Sequence, residues 1–226
     1  MRTKITLAMA CFIGFILCSA VAAYTPMFIL RECPHCKSAV VEEATVSGNT
    51  LDTIMFTDGK KHAPMFPDHP QIVKCPVCSG LFWVASAAEL EGSIDANEKG
   101  QKVFAPSEKD LLDYLARPEC PKEREPYLRL RAWWTANDQW RWHPNPKPVF
   151  SNEQMKNLQV MSEMLNESKP AHRILKAEIA RELGKFDECQ RLLTYQFEKD
   201  YDWAVEFIKK LAEEKVRAVK PFEPVK

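Results

Sequence analysis

The sequence predicts an α+β fold in which a small β-rich module is followed by an antiparallel α-helical domain. Three observations carry that expectation. Two Cys-Pro-x-Cys motifs, Cys33–Cys36 and Cys75–Cys78, bracket β-prone runs and turn signals in the N-terminal part. Amphipathic segments punctuated by Gly and Pro fill the C-terminal part. Ahead of both stands an uncharged stretch from Ile5 to Ala23.

That leading stretch has the order of an export signal. Arg2 and Lys4 make a short basic region, an apolar core follows, and Ser19-Ala20-Val21-Ala22-Ala23 is a small-residue exit suited to cleavage after Ala23. Residues 1–23 are therefore expected to be a signal peptide or an N-terminal membrane anchor. Residues 5–23 are long enough to span a bilayer if uncleaved, which would put the soluble part outside the cytoplasm. The alternative is a cytoplasmic protein whose translation starts at Met27.

Residues 28–88 form the expected β-rich module. Ile54-Met55-Phe56-Thr57 runs into Asp58-Gly59 and Lys60-Lys61, a hairpin signal in which both turn residues are expected to accept positive φ. Ser47-Gly48-Asn49 reads as a further turn. The segment from Ala63 to Pro70 holds too many prolines for an internal strand and reads as an ordered loop. Leu81-Phe82-Trp83-Val84 reads as a short apolar strand. At about 60 residues a hydrophobic core is marginal, and a metal staple helps.

Residues 89–148 are less regular. Ser107 caps a helix carrying Leu111, Leu112 and Leu115 that stops before Pro118. A second helix is expected from Lys122 to about Ala136, before the Trp- and Pro-rich run from Trp140 to Pro148. Residues 151–219 are expected to be helical throughout. Ser151 and Gln154 match a capping box, and Pro170 suits a first helical turn. Gly184 is placed to end that helix. A third helix is expected over Phe186–Lys199, and a fourth, capped by Asp200 or Asp202, carries Trp203, Phe207, Ile208 and Leu211. Short connections between such helices imply antiparallel neighbours.

Composition narrows the function classes. Lys+Arg and Asp+Glu both number 31, so no global field favours nucleic acid, and no nucleic-acid partner is expected. With 7 glycines against 16 prolines, neither a phosphate-binding loop nor a dinucleotide fingerprint is present. No catalytic constellation stands out.

The chemistry lies in the cysteine pairs. Two residues between cysteines let one tight turn aim both sulfurs at one metal, and zinc prefers four such thiolates in a tetrahedron. Cys33, Cys36, Cys75 and Cys78 are therefore the expected metal ligands, with Zn2+ as the expected ion and a structural role. The 38 residues between Cys36 and Cys75 exceed the compact spacing of such sites and read as an insertion. Structural disulfides are the alternative in an oxidising compartment. Thiol–disulfide oxidoreductase chemistry at Cys33 and Cys36 is a further alternative, but Lys37-Ser38-Ala39-Val40-Val41 makes a poor helix start after the motif. Cys120 and Cys189 read as buried or half-buried small residues rather than a mutual bridge. His35, His62 and His69 read as neighbours of the site rather than ligands, and Trp133, Trp134, Trp140 and Trp142 as packing between the two halves.

Two resemblances follow from these residues. Leu183-Gly184-Lys185-Phe186-Asp187-Glu188-Cys189 resembles the inter-helix turn of tetratricopeptide repeats, with Cys189 where Ala is usual. The stretch from Glu32-Cys33-Pro34-His35-Cys36 through Thr57-Asp58-Gly59 to Lys74-Cys75-Pro76-Val77-Cys78 and Phe82-Trp83 resembles a group of uncharacterised bacterial zinc-ribbon proteins with a tetratricopeptide-like C-terminal part. The resemblance implies a zinc-ribbon-like module over 28–88, a tetratricopeptide-like domain over 151–219, and the same four cysteines as ligands. It implies no activity. The function expected is a non-enzymatic zinc-binding scaffold whose helices offer a surface to a protein or peptide partner.

Overall fold

Residues 24–91, 100–143 and 146–222 are described in a computed structural model of the chain. The proposed signal or anchor over residues 1–23 lies outside the described residues. No helix among the described residues is long and apolar enough to cross a membrane.

Small β-sheets precede the helices, as an α+β fold requires. The strands are β1 (Thr25–Glu32), β2 (Ala39–Ser47), β3 (Ile54–Met55), β4 (Lys61–His62), β5 (Ile72–Lys74), β6 (Leu81–Trp83) and β7 (Gln101–Lys102). The helices are α1 (Glu108–Leu115), α2 (Glu125–Arg141), α3 (Asn152–Met164), α4 (Pro170–Glu182), α5 (Phe186–Leu193) and α6 (Asp202–Glu213). β1 and β2 pair antiparallel around the first cysteine motif, and β5 and β6 around the second. β7 joins the far edge of β2 in parallel, and Lys74 and Phe104 then exchange backbone hydrogen bonds of 2.8 and 3.0 Å. Residues 101–104 thus stitch one cysteine hairpin to the other.

Alternation along β5 and β6 explains how these hairpins seat on the helices. Val73 and Phe82 face a core with Cys33, Val40, Cys75 and Ala87, whereas Ile72 and Leu81 point the other way, into Leu111, Leu128 and Ala132 of α1 and α2. Packing continues through Trp133, Leu158, Met161 and Ile179, and then through Ala177, Leu192 and Ile208 into α4, α5 and α6.

The capping box expected at Ser151 and Gln154 opens α3, and the expected cap Ser107 opens α1, where Asp110 completes a second capping box. Pro170 occupies the first turn of α4, and Gly184 follows its end at φ +76°. Three expectations change. Helix α2 runs to Arg141 rather than stopping near Ala136, because Asn137 and Arg141 fall four residues apart on its buried face and find partners there. Helix α5 ends at Leu193, where the chain turns to pack Phe197 between Tyr195 and Tyr201. Asp202 is the first residue of α6 and caps nothing, since a 3-10 turn over Lys199–Tyr201 leads in.

The hairpin at Asp58-Gly59 also takes a different form. Gly59 alone adopts positive φ, Gly59 N–H bonds the Phe56 carbonyl, and Phe56 N–H bonds the Lys60 carbonyl. This is a three-residue loop closed by a left-handed glycine, not a two-residue one. Gly48 ends β2 without a tight turn. A methyl group there would sit 2.0 Å from the Met65 carbonyl oxygen, so glycine admits the proline loop against the sheet. The chain then returns beyond α6, where Thr57 N–H bonds the Lys220 carbonyl and Phe222 N–H the Met55 carbonyl. The long insertion between the cysteine motifs is therefore held by the segment from Lys220 to Phe222.

Candidate metal centre

Each cysteine motif folds into the same tight turn. Lys37 N–H bonds the Cys33 carbonyl and Cys33 N–H bonds the Ser38 carbonyl, both at 2.9 Å. Ser79 N–H bonds the Cys75 carbonyl and Cys75 N–H bonds the Gly80 carbonyl, both at 3.0 Å. The residue closing each turn is left-handed, Lys37 at φ 63° and Ser79 at φ 61°. Such backbone is unfavourable outside glycine, and its recurrence at equivalent positions marks two turns built to one pattern.

These turns bring the four predicted residues together. The Sγ atoms of Cys33, Cys36, Cys75 and Cys78 all lie within 4.8 Å of one another. The cross-pairs Cys33–Cys78 and Cys36–Cys75 are both 3.8 Å apart. A tetrahedron with metal–sulfur bonds of 2.3 Å has sulfur–sulfur edges of about 3.8 Å. The four sulfurs are free thiols rather than disulfides in this structure.

Backbone donors complete the fit. Val77 N–H reaches Cys75 Sγ at 3.4 Å, and amides of His35 and Cys36 point to Cys33, of Ser38 to Cys36 and of Gly80 to Cys78. Hydrogen bonds of this kind favour thiolate, the form that binds metal. The Ser38 hydroxyl and amide lower the Cys36 thiol to about 6. Burial raises Cys33. At Cys78 the Gly80 amide favours the thiolate, but desolvation and the neighbouring sulfurs push it up to about 12. Thiolates this close repel one another, and a bound divalent cation would offset that negative charge.

His35 is a neighbour of the site. Its Nε2 donates to the Leu81 carbonyl at 2.8 Å, which ties the first turn to the second. A methyl group on Gly80 would lie 2.7 Å from His35 Cδ2, so glycine is what lets the ring lie there. His69 Nε2 pairs with Thr45 Oγ1 at 2.8 Å, and His62 packs edge-on to Trp142. None joins the cluster of sulfurs. Cys120 and Cys189 also lie outside it; Cys189 is buried in the α4–α5–α6 core, which pushes its thiol up to about 12.

The geometry disfavours redox catalysis at Cys33 and Cys36. A helix opening at the motif would lower the first thiol, but here β2 follows at Ala39 and Cys33 is buried and raised. A concavity of roughly 400 Å³ beside the proline loop is lined by two ion pairs, Lys60 with Asp138 and Arg131 with Asp68, and by Lys61.

Sequence reasoning missed a buried polar cluster at the seam between the β3–β4 loop and the helices. Asp58, Asn137, Arg141, Glu178, Arg181 and Glu182 are all buried there. Of the tryptophans expected to pack the two halves together, Trp134 does so through its indole N–H to the Asp58 carbonyl. Trp133 packs among helices α2, α3 and α4 and donates to Glu182, and Trp142 is largely exposed, edge-on to Phe56 and His62. The only sequence signal was the presence of polar residues at helix positions that an apolar stripe would fill. Comparison of the chain with protein-family models, with curated proteins and with solved structures returns no match.

Proposed function

We propose that the protein is a non-enzymatic scaffold in which Cys33, Cys36, Cys75 and Cys78 hold one structural zinc ion. The observation that carries this reading is the convergence of four thiols from two matched turns, with cross-pairs at the edge length of a zinc–sulfur tetrahedron. Four sulfurs fill a tetrahedral shell and leave no open position for substrate, which favours structure over catalysis. The zinc-ribbon-like module is braced by metal, and the tetratricopeptide-like helices offer a protein or peptide partner an antiparallel helical surface. The equal numbers of basic and acidic residues favour a protein partner over nucleic acid. The basic–apolar–small order of residues 1–23 supports export or membrane anchoring of this scaffold.

The test is metal analysis of purified protein lacking residues 1–23. One zinc per chain is expected, lost together with cooperative folding in Cys75→Ser. Absence of metal together with two disulfides among these four cysteines, seen by mass spectrometry, overturns the reading. Turnover in a disulfide-reduction assay that depends on Cys33 overturns it in favour of an oxidoreductase.

A further inference from the structure

At the seam between the β3–β4 loop and helices α2 and α4, three carboxyl groups and two guanidinium groups are withdrawn from water. Both guanidiniums are engaged. Arg141 forks onto Asp58, Nη1 to Oδ1 at 2.9 Å and Nη2 to Oδ2 at 2.5 Å. Arg181 forks onto Glu178, Nε to Oε2 at 2.8 Å and Nη2 to Oε1 at 2.5 Å. The third carboxyl, Glu182, is 0% exposed and is met only by neutral donors. Trp133 Nε1 reaches Oε2 at 2.8 Å, and Asn137 Nδ2 reaches Oε1 at 3.1 Å. The same Asn137 nitrogen lies 3.1 Å from Asp58 Oδ2, so one amide bridges the paired and the unpaired carboxyl.

Two cations cannot neutralise three carboxylates, and an uncompensated carboxylate away from water costs far more than the neutral acid. We propose that Glu182 holds a proton in the folded chain, and that this proton makes the docking of the β3–β4 hairpin onto α2 and α4 weaken as pH rises above the ordinary carboxyl range. The groups that face it come from every element packed around it, and they include both signs of charge. The hairpin contributes Asp58 and the Thr57 hydroxyl. Helix α2 contributes Trp133, Asn137 and Arg141, whose Nε is also held by Asp138 at 2.8 Å. Helix α4 contributes Glu178 and Arg181, and α5 contributes the buried thiol of Cys189. The C-terminal segment contributes Arg217, whose Nε donates to the Glu182 backbone carbonyl at 2.7 Å rather than to its carboxyl. Helix α3 brings apolar Leu158 and Met161 against Trp133. Burial, then Glu178 and Asp58, raise the Glu182 carboxyl well above its ordinary range, with Arg181 opposing them.

The sign follows from linkage. Above the ordinary carboxyl range the unfolded chain has lost this proton while the folded chain keeps it. Unfolding therefore releases a proton, and stability falls as pH rises until Glu182 ionises in the fold.

The experiment compares thermal unfolding of the full chain and of Glu182→Gln from about pH 5 to about pH 9, at equal metal content. The wild-type midpoint is expected to fall relative to that of the variant as pH rises, because the amide is neutral throughout. Parallel profiles overturn the proposal. If the variant fails to fold at every pH, infrared spectra of the wild-type chain carrying carboxyl-labelled glutamate decide. A protonated-acid carbonyl band at neutral pH that vanishes on unfolding is expected, and only ionised bands in the folded chain refute it. Neither readout depends on whether the cysteines bind zinc.

Discussion

Replacing Arg141 by methionine tests whether the insertion between the cysteine motifs is clamped to the helices by charge. The substitution keeps length and apolar bulk but removes the guanidinium. Asp58 then loses bonds of 2.9 and 2.5 Å, keeping only the Lys60 amide and the Asn137 side chain, both at 3.1 Å. A contact of the guanidinium over the Phe56 ring at 4.7 Å disappears as well. Asp58 is 0% exposed, so water does not replace what is lost. Removing one partner of such a buried pair costs about 3–5 kcal/mol. For a domain whose whole stability is about 5–15 kcal/mol that is a large fraction. At about 2–4 °C per kcal/mol for a chain of this size, the thermal midpoint falls by roughly 6–20 °C. Urea unfolding followed by circular dichroism and by tryptophan fluorescence measures the loss, with the denaturant slope unchanged. Adding Asp58→Asn to Arg141→Met should recover much of it, since the stranded charge is removed. A loss below about 1 kcal/mol, the value of an exposed ion pair, refutes the clamp. So does a double variant no more stable than the single one.

Three further outcomes are expected. In the reduced, metal-free chain, alkylation near neutral pH falls first on Cys36, which is lowered to about 6 while Cys78 is held near about 12. Its rate drops about tenfold per pH unit below about 6 as the thiolate is protonated, which peptide mapping by mass spectrometry reads directly. Gly48→Ala drives a methyl group against the Met65 carbonyl and costs about 1–3 kcal/mol. It should also speed hydrogen exchange at the Asn49 amide, which bonds that carbonyl at 3.2 Å. Ser151→Ala removes the capping box of α3 and lowers stability by about 1 kcal/mol in denaturant unfolding, with Ser151→Gly losing less.

Much of the cysteine cluster was legible because it is built from local geometry. A Cys-x-x-Cys turn positions two sulfurs whatever surrounds it, and its repetition tells that four are available. The same holds for Ser107, Ser151, Pro170 and Gly184, which act on backbone within one helical turn. The end of helix α2 is not legible locally, for the opposite reason. Asn137 and Arg141 are unremarkable surface residues by type, and the partner that buries them, Asp58, stands 79 and 83 positions away. Asp58 itself looked like half of a turn dipeptide, and only Gly59 needed the unusual backbone.

The sequence by itself determined the α+β class, the grouping of Cys33, Cys36, Cys75 and Cys78 as one candidate metal cluster, and most helix boundaries, because spacing and capping are properties of neighbouring residues. Only the tertiary structure decided what the insertion between the motifs does and where the buried charges go. Whether a carboxyl group is a solvated surface residue or a proton-holding member of a closed cluster depends on what lies within a few ångströms of it. For Asp58 and Glu182 those neighbours come from the hairpin, from α2 and from α4, and no local pattern announces them.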